Sequence, residues 1–300
     1  MDLTEIPLRV WRKRSQSLVF RGQTIRYWVA GQGESLLLIH GFPTASWDWH
    51  YLWQPLTQRY RVIACDMLGF GDSAKPQDHD YCLLEQADLQ QAVLTHLGVD
   101  QGVHLLAHDY GDSVAQELLA RHVEARAEIA SCVFLNGGLF PETHRPVLMQ
   151  KLLLSPIGWM IGRAFTRDAL VKSFRQIFGP QTRPSESELD DFWSLIDSNR
   201  GTRVLHKLIN YVPQRRAQRE RWLSAMQSCS VPMRVIDGEV DPVSGSHMVE
   251  RYRQLIAKPD SVLLPGIGHY PQIEAPAQVL RHYLAFREQL APPSLKIACS

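Results

Sequence analysis

The sequence predicts an α/β protein, a mostly parallel, doubly wound sheet with a helical cap inserted after the sixth strand. Three observations point there. Short apolar runs rich in branched residues recur along the chain and are nearly continuous rather than alternating, as in strands covered on both faces. Helical patterns separate them. One long interval, from about Gly138 to Ser228, holds no good strand and breaks the alternation.

In chain order, Ser17–Phe20 and Tyr27–Ala30 read as an antiparallel hairpin joined through Arg21-Gly22. Ser35–His40, Arg61–Asp66, Val103–His108, Ile129–Asn136, Met233–Asp237 and Ser261–Leu264 read as buried parallel strands. Leu83–Leu97, Asp112–Arg121, Gly245–Leu255 and Ala275–Leu290 read as helices. The interval 138–228 is helical in pattern with Pro and Gly at its joints, too long for a connection, so it reads as a cap; 1–137 and 229–300 form the core. The tail from Pro292 is expected to be loosely held.

The chain has 300 residues, 45% hydrophobic and 21% charged, with net charge +1. That composition does not point to nucleic acid as a partner. The N-terminus lacks an apolar signal core, and no stretch approaches the length of a membrane span, so a cytoplasmic protein is expected. The five cysteines (Cys65, Cys82, Cys132, Cys229, Cys299) include no CxxC and no Cys/His cluster. A disulfide framework and a structural metal are therefore not expected, and nothing points to a cofactor.

In open α/β sheets, ligands bind beyond the carboxyl ends of the strands, and four strand ends here carry unusual residues. Ala107-His108-Asp109-Tyr110-Gly111 has small residues on both sides of a central aspartate, the pattern of a strand-to-helix elbow that presents a nucleophile. Ser113, in Gly111-Asp112-Ser113-Val114-Ala115, is the rival nucleophile one turn later. His40-Gly41-Phe42-Pro43 is placed to turn a backbone N–H toward the elbow, so Phe42 and Tyr110 are the expected oxyanion donors. Asp237-Gly238-Glu239-Val240-Asp241 ends another strand. Asp241 is favoured to orient a histidine, with Asp237 and Glu239 as alternatives. His269 follows Gly266-Ile267-Gly268 on the last loop, where a flexible tip is expected.

At these residues the chain resembles the α/β-hydrolases with an aspartate nucleophile, the group of epoxide hydrolases and haloalkane dehalogenases, and within them the mesoderm-specific transcript protein family. The likeness is carried by HGFPTASWDW (His40–Trp49), LGFGDSAKP (Leu68–Pro76), HDYGDSVAQELL (His108–Leu119), NGGLFPETHRP (Asn136–Pro146), TRPSESEL (Thr182–Leu189) and HYPQIEAP (His269–Pro276). It implies an α/β-hydrolase fold with Asp109 as nucleophile, His269 as base and Asp241 as its partner, in the triad order of that fold.

A carboxylate attacks without needing a base, and attack on a saturated carbon yields an alkyl-enzyme ester that water then hydrolyses. Epoxide hydrolase-like chemistry on a small apolar molecule is expected, with haloalkane dehalogenation as the alternative. A serine-type esterase or acyltransferase through Ser113 and a non-catalytic binding protein are more distant readings. Dehalogenases of this group carry a tryptophan after the nucleophile, where this chain has Tyr110. Epoxide hydrolases use two cap tyrosines, where this cap has only Tyr211. Tyr211, Trp47 and His108 are candidates for the leaving group or the pocket, with Trp49 and Trp53 near Trp47. Arg215, Arg216, Arg219 and Arg221 read as a solvated helix face, or more sharply as a membrane-surface patch. Glu274 reads as the start of the last helix.

Overall fold

The computed structural model describes residues 3–99 and 102–290; Cys299 and the tail from Pro292 lie outside them. Eight strands form one sheet: β1 (Gln16–Phe20), β2 (Gln23–Ala30), β3 (Ser35–Ile39), β4 (Arg61–Cys65), β5 (Val103–His108), β6 (Ile129–Leu135), β7 (Met233–Gly238) and β8 (Ser261–Leu264), in the order β1-β2-β4-β3-β5-β6-β7-β8. The first two strands pair antiparallel, as do β2 and β4, and β4 through β8 run parallel. Arg21 and Gly22 both take positive φ (47° and 77°) and close the hairpin in the sense that matches strand twist.

The helices are α1 (Leu8–Lys13), α2 (Trp53–Thr57), α3 (Leu83–His96), α4 (Tyr110–Val123), α5 (Leu148–Leu153), α6 (Gly158–Arg163), α7 (Arg167–Ile177), α8 (Glu186–Asp197), α9 (Leu205–Leu208), α10 (Tyr211–Ser228), α11 (Ser246–Leu255), α12 (Pro271–Glu274) and α13 (Pro276–Leu290). A 3-10 stretch, Ser198–Val204, joins α8 to α9. The expected strandless interval is occupied by α5 through α10, between β6 and β7.

The central strands are apolar because both faces are covered: β5 is buried at every position, and Leu36, Leu37, Leu38 and Ile39 of β3 are at most 1% exposed. Strand β3 lies between β4 and β5, so the chain leaves it in opposite directions across the sheet. That reversal opens a crevice at the carboxyl ends of β3 and β5.

Two of the contacts that tie the helices between β6 and β7 to the rest of the fold lie at Lys75 and along α4. Lys75 is buried and donates to the carbonyls of Leu195, Ile196 and Ser198, filling acceptors that the end of α8 leaves open. The long helix α10 packs along α4. Gly111 is required on the other side of α4, because a Cβ there would stand 2.4 Å from the Ile39 carbonyl oxygen.

Candidate active site

Asp109 occupies the turn between β5 and α4 with φ 47° and ψ −104°. A non-glycine residue held at positive φ costs about 1–3 kcal/mol, and such strain concentrates at functional sites. The turn lifts the carboxylate above the sheet and places it at the floor of a narrow cavity of about 60 Å³. Met149, Leu153, Phe165, Leu170, Phe174 and Ile177 supply much of its apolar wall, and His269 shares the floor.

One carboxylate oxygen, Oδ2, accepts the Phe42 N–H at 3.0 Å. Gly41 permits this approach, since a Cβ there would lie 2.6 Å from His108 Nδ1. The other oxygen, Oδ1, lies 3.9 Å from His269 Nε2. His269 Nδ1 donates to Asp241 Oδ2 at 2.7 Å. Asp241 also accepts from the N–H groups of Val243 and Ser244, the Ser244 hydroxyl and the Asn136 amide, so its orientation is fixed on every side.

These contacts govern ionisation. Burial alone would raise the Asp109 carboxyl, but the charges of His269 and Arg215 and the Phe42 N–H outweigh burial and hold it below its ordinary range. Burial would likewise raise Asp241, and His269 and the surrounding donors bring it down. For His269, burial opposes the charged form, yet Asp241 and Asp109 together raise the imidazole to about 9.

The alternative acids stand elsewhere. Asp237 is buried at the end of β7, where Oδ1 accepts the Asn136 N–H at 2.6 Å; burial raises it well above the carboxylate range. Glu239 is exposed. Ser113, inside α4, accepts Arg215 Nε at 2.6 Å and makes no hydrogen bond to His269.

Several expected pocket residues prove to be packing residues. Trp47 is fully buried and donates its indole N–H to the Ile6 carbonyl, so it belongs to the core under the N-terminal arm and does not line the cavity. Trp49 and Trp53 are also buried away from the cavity. His108 lies beneath the site, donating through Nε2 to the His269 carbonyl at 2.8 Å. Tyr110 begins α4, its ring buried against Phe70 and Tyr211. Tyr211 stands beside Phe42, and its hydroxyl accepts from Gln150, which lines the cavity.

Three residues have roles that the sequence reading missed. Arg215 is not on a solvated face: it is 2% exposed and turns inward from α10. Its Nη2 donates to the Asp109 carbonyl at 2.8 Å and lies 3.5 Å from Asp109 Oδ1, while its guanidinium stacks on Tyr211. Arg219 and Arg221 pair with Glu142, Glu220, Glu117 and Glu124. Glu274 does more than open a helix. Its carboxylate accepts from Gly179 N, Gly268 N, Tyr270 N and the Thr182 hydroxyl. With the bond from His269 N to the Ile177 carbonyl, this makes the histidine loop a braced element rather than a flexible tip. Asn136, at positive φ after β6, joins Asp241 to β7. Its only sequence signal is a polar residue closing an apolar strand ahead of two glycines.

Comparison with known proteins identifies the fold. The family model described as α/β hydrolase fold matches residues 34–276. The mesoderm-specific transcript protein of mouse is 42% identical over 295 residues, covering 93% of this chain and 87% of that protein. A Mycobacterium tuberculosis protein that carries the name hydrolase LipZ is 38% identical over 248 residues, covering 82% of this chain and 85% of its own. Among solved structures, the haloalkane dehalogenase DatA from Agrobacterium tumefaciens superposes with a TM-score of 0.80 at 18% identity, covering 92% of this chain and 97% of that one. The epoxide hydrolase CorEH superposes at 0.75 with 20% identity, covering 92% and 99%.

Proposed function

Because the chain belongs to the α/β hydrolase fold family, we propose that it hydrolyses a small apolar substrate through an alkyl ester formed on Asp109, with epoxide opening as the reaction. One observation carries this reading. The residue on the strained turn is an ionised carboxylate, with one oxygen held by a backbone N–H and the other facing a histidine braced by Asp241. The helices α5 to α10 serve as a cap, and Asp109, Asp241 and His269 serve as the triad.

In the first step Asp109 Oδ1 attacks a saturated carbon, a C–Oδ1 bond forms, and the C–O bond of the epoxide breaks. The leaving oxygen takes its proton from the Tyr211 hydroxyl, which is buried and bonded to the cavity-lining Gln150. Esterification removes the Asp109 charge, one of the influences that raise His269. The imidazole then loses its proton more readily and acts as a base.

In the second step His269 takes a proton from water, and the water oxygen adds to the Asp109 carboxyl carbon. Negative charge develops on Oδ2, where the Phe42 N–H stabilises it; one such donor is worth about 2.7–4 kcal/mol. The bond between the carboxyl carbon and Oδ1 then breaks. Oδ1 departs with the product and takes the proton from His269, and the second proton of the water, left on the Asp109 carboxyl, restores the Tyr211 hydroxyl. Arg215, beside Oδ1, stabilises the charge on that departing oxygen.

A second reading is haloalkane dehalogenation. In it the same ester forms on Asp109, and the halide departs without the proton that an epoxide oxygen needs.

The test is adduct capture. His269→Gln, incubated with a panel of epoxides, haloalkanes and short esters, should accumulate a covalent adduct on the peptide bearing Asp109, and Asp109→Asn should form none. An adduct on Ser113, or unchanged turnover by Asp109→Asn with deamidation excluded, would overturn the proposal.

A further inference from the structure

Eight large apolar side chains are exposed among the described residues, and four of them fall on α5, α6 and the turn between them: Leu148 (66%), Ile157 (52%), Trp159 (46%) and Met160 (51%). The two helices pack against each other. The inner side of α5 gives Met149, Gln150 and Leu153 to the wall of the cavity, so Leu148 and the exposed Lys151 mark its outer side.

Charge on this side is mostly positive, with Asp80 beside Lys207 of α9 as an acidic neighbour. Between Glu142 and Asp168 the sequence holds no acidic residue. The stretch Ser198–Leu208, whose 3-10 turn and α9 pack against α6, holds none either. Lys151, Arg163, Arg200 and Arg203 are exposed and make no ion pair among the described residues. In a chain of net charge +1 this is a local excess. The Arg163 guanidinium lies 5.2 Å above the exposed Trp159 ring.

We propose that α5 and α6 dock the protein on an anionic phospholipid surface. Exposed Ile, Met and Leu gain by leaving water for the acyl boundary. An indole is stable at headgroup depth. Lysine and arginine beside it are drawn by anionic headgroups, at about 1 kcal/mol each. A nucleic acid would use the cations but leave the apolar side chains in water. The basic run Arg215–Arg221 is a different place, since Arg215 is buried and Arg219 and Arg221 are neutralised by glutamates. Docking through α5 sets the wall of the cavity against the bilayer. This inference stands whether or not Asp109 is the nucleophile.

The experiment is flotation of the full chain with vesicles of phosphatidylcholine alone and of phosphatidylcholine with phosphatidylglycerol in equal parts. The wild type should float with the anionic vesicles and be released by salt. Replacing Ile157, Trp159 and Met160 together by Ser should lower the partition about tenfold. Lys151→Glu and Arg163→Glu should each lower anionic binding by about fivefold or more, the equivalent of ~1 kcal/mol per charge. Arg216→Glu should leave binding unchanged. All these side chains are exposed, so unaltered melting curves serve as the control for folding. Failure of the wild type to float with anionic vesicles would overturn the proposal. So would unchanged flotation of the triple-serine variant, or conversion of a solution dimer to a monomer by the triple substitution, which would make a second copy of the chain the occupant.

Discussion

Arg215 on α10 donates to the main-chain carbonyl of Asp109 at 2.8 Å, so a helix between β6 and β7 contributes directly to the setting of a carboxylate on the sheet. The same guanidinium holds Ser113 Oγ and leans on the Tyr211 ring. Three groups thus depend on one planar, permanently charged side chain.

Replacing Arg215 by Met should lower kcat by on the order of 10- to 100-fold, the worth of one or two charge-assisted hydrogen bonds. Arg215→Lys should recover little of it, because a single ammonium cannot span both Ser113 and Asp109. Rapid quench would locate the effect: the alkyl-enzyme should accumulate in Arg215→Met, since the departing oxygen loses its nearby cation.

The imidazole of His269 confers a pH dependence on stability. Unfolded, a histidine titrates near ~6.5; folded, His269 is raised to about 9. The folded state therefore holds this proton more tightly. The contribution is complete below ~6.5 and is lost as pH rises through about 9. The melting temperature of the wild type should fall across that window, and that of His269→Gln should fall much less. In Asp109→Asn the His269 titration, followed by NMR, should move to lower pH.

Gly111→Ala should destabilise the fold by about 1–3 kcal/mol. The new methyl would meet the Ile39 carbonyl oxygen, a backbone atom at the centre of the sheet that cannot turn aside. Chemical denaturation should show a lower midpoint, and α4 displaced outward should also reduce turnover.

Glu274→Gln should act on kcat rather than KM. Its carboxylate receives four donors from the histidine loop and from Gly179 and Thr182. A neutral amide accepts these less strongly, and its NH2 end opposes some of them. A loss of about tenfold in kcat is expected, together with faster proteolysis near Gly268. Equal proteolysis of wild type and variant would remove the bracing role.

The legible part of this molecule was what strand ends and local spacing carry. Buried parallel strands announce themselves by continuous apolar runs, so β3 through β8 could be placed from the sequence. Asp109, Asp241 and His269 each follow such a run, which drew attention to the three residues that the fold brings together. The rest depended on relations that no local pattern encodes. Arg215, Arg216, Arg219 and Arg221 look alike along a helix, and only the docking of α10 on α4 turns the first inward while the others meet water and glutamates. Trp47 follows the His40–Pro43 turn closely enough to suggest a pocket wall, but the carbonyl that satisfies it belongs to Ile6, far back in the chain. Glu274 was readable as a helix terminus; its partners at Gly179 and Thr182 come from across the fold.

The grip of Arg215 on the elbow constrains how molecules come and go. If α10 swung away from α4, Asp109 would lose its counter-charge and the Tyr211 hydroxyl would leave with the helix. That side of the enclosure must therefore stay shut through the whole cycle. Traffic is left to the opposite wall, where Phe165 and Leu170 line the cavity without bonding Asp109, Tyr211 or the His269 loop.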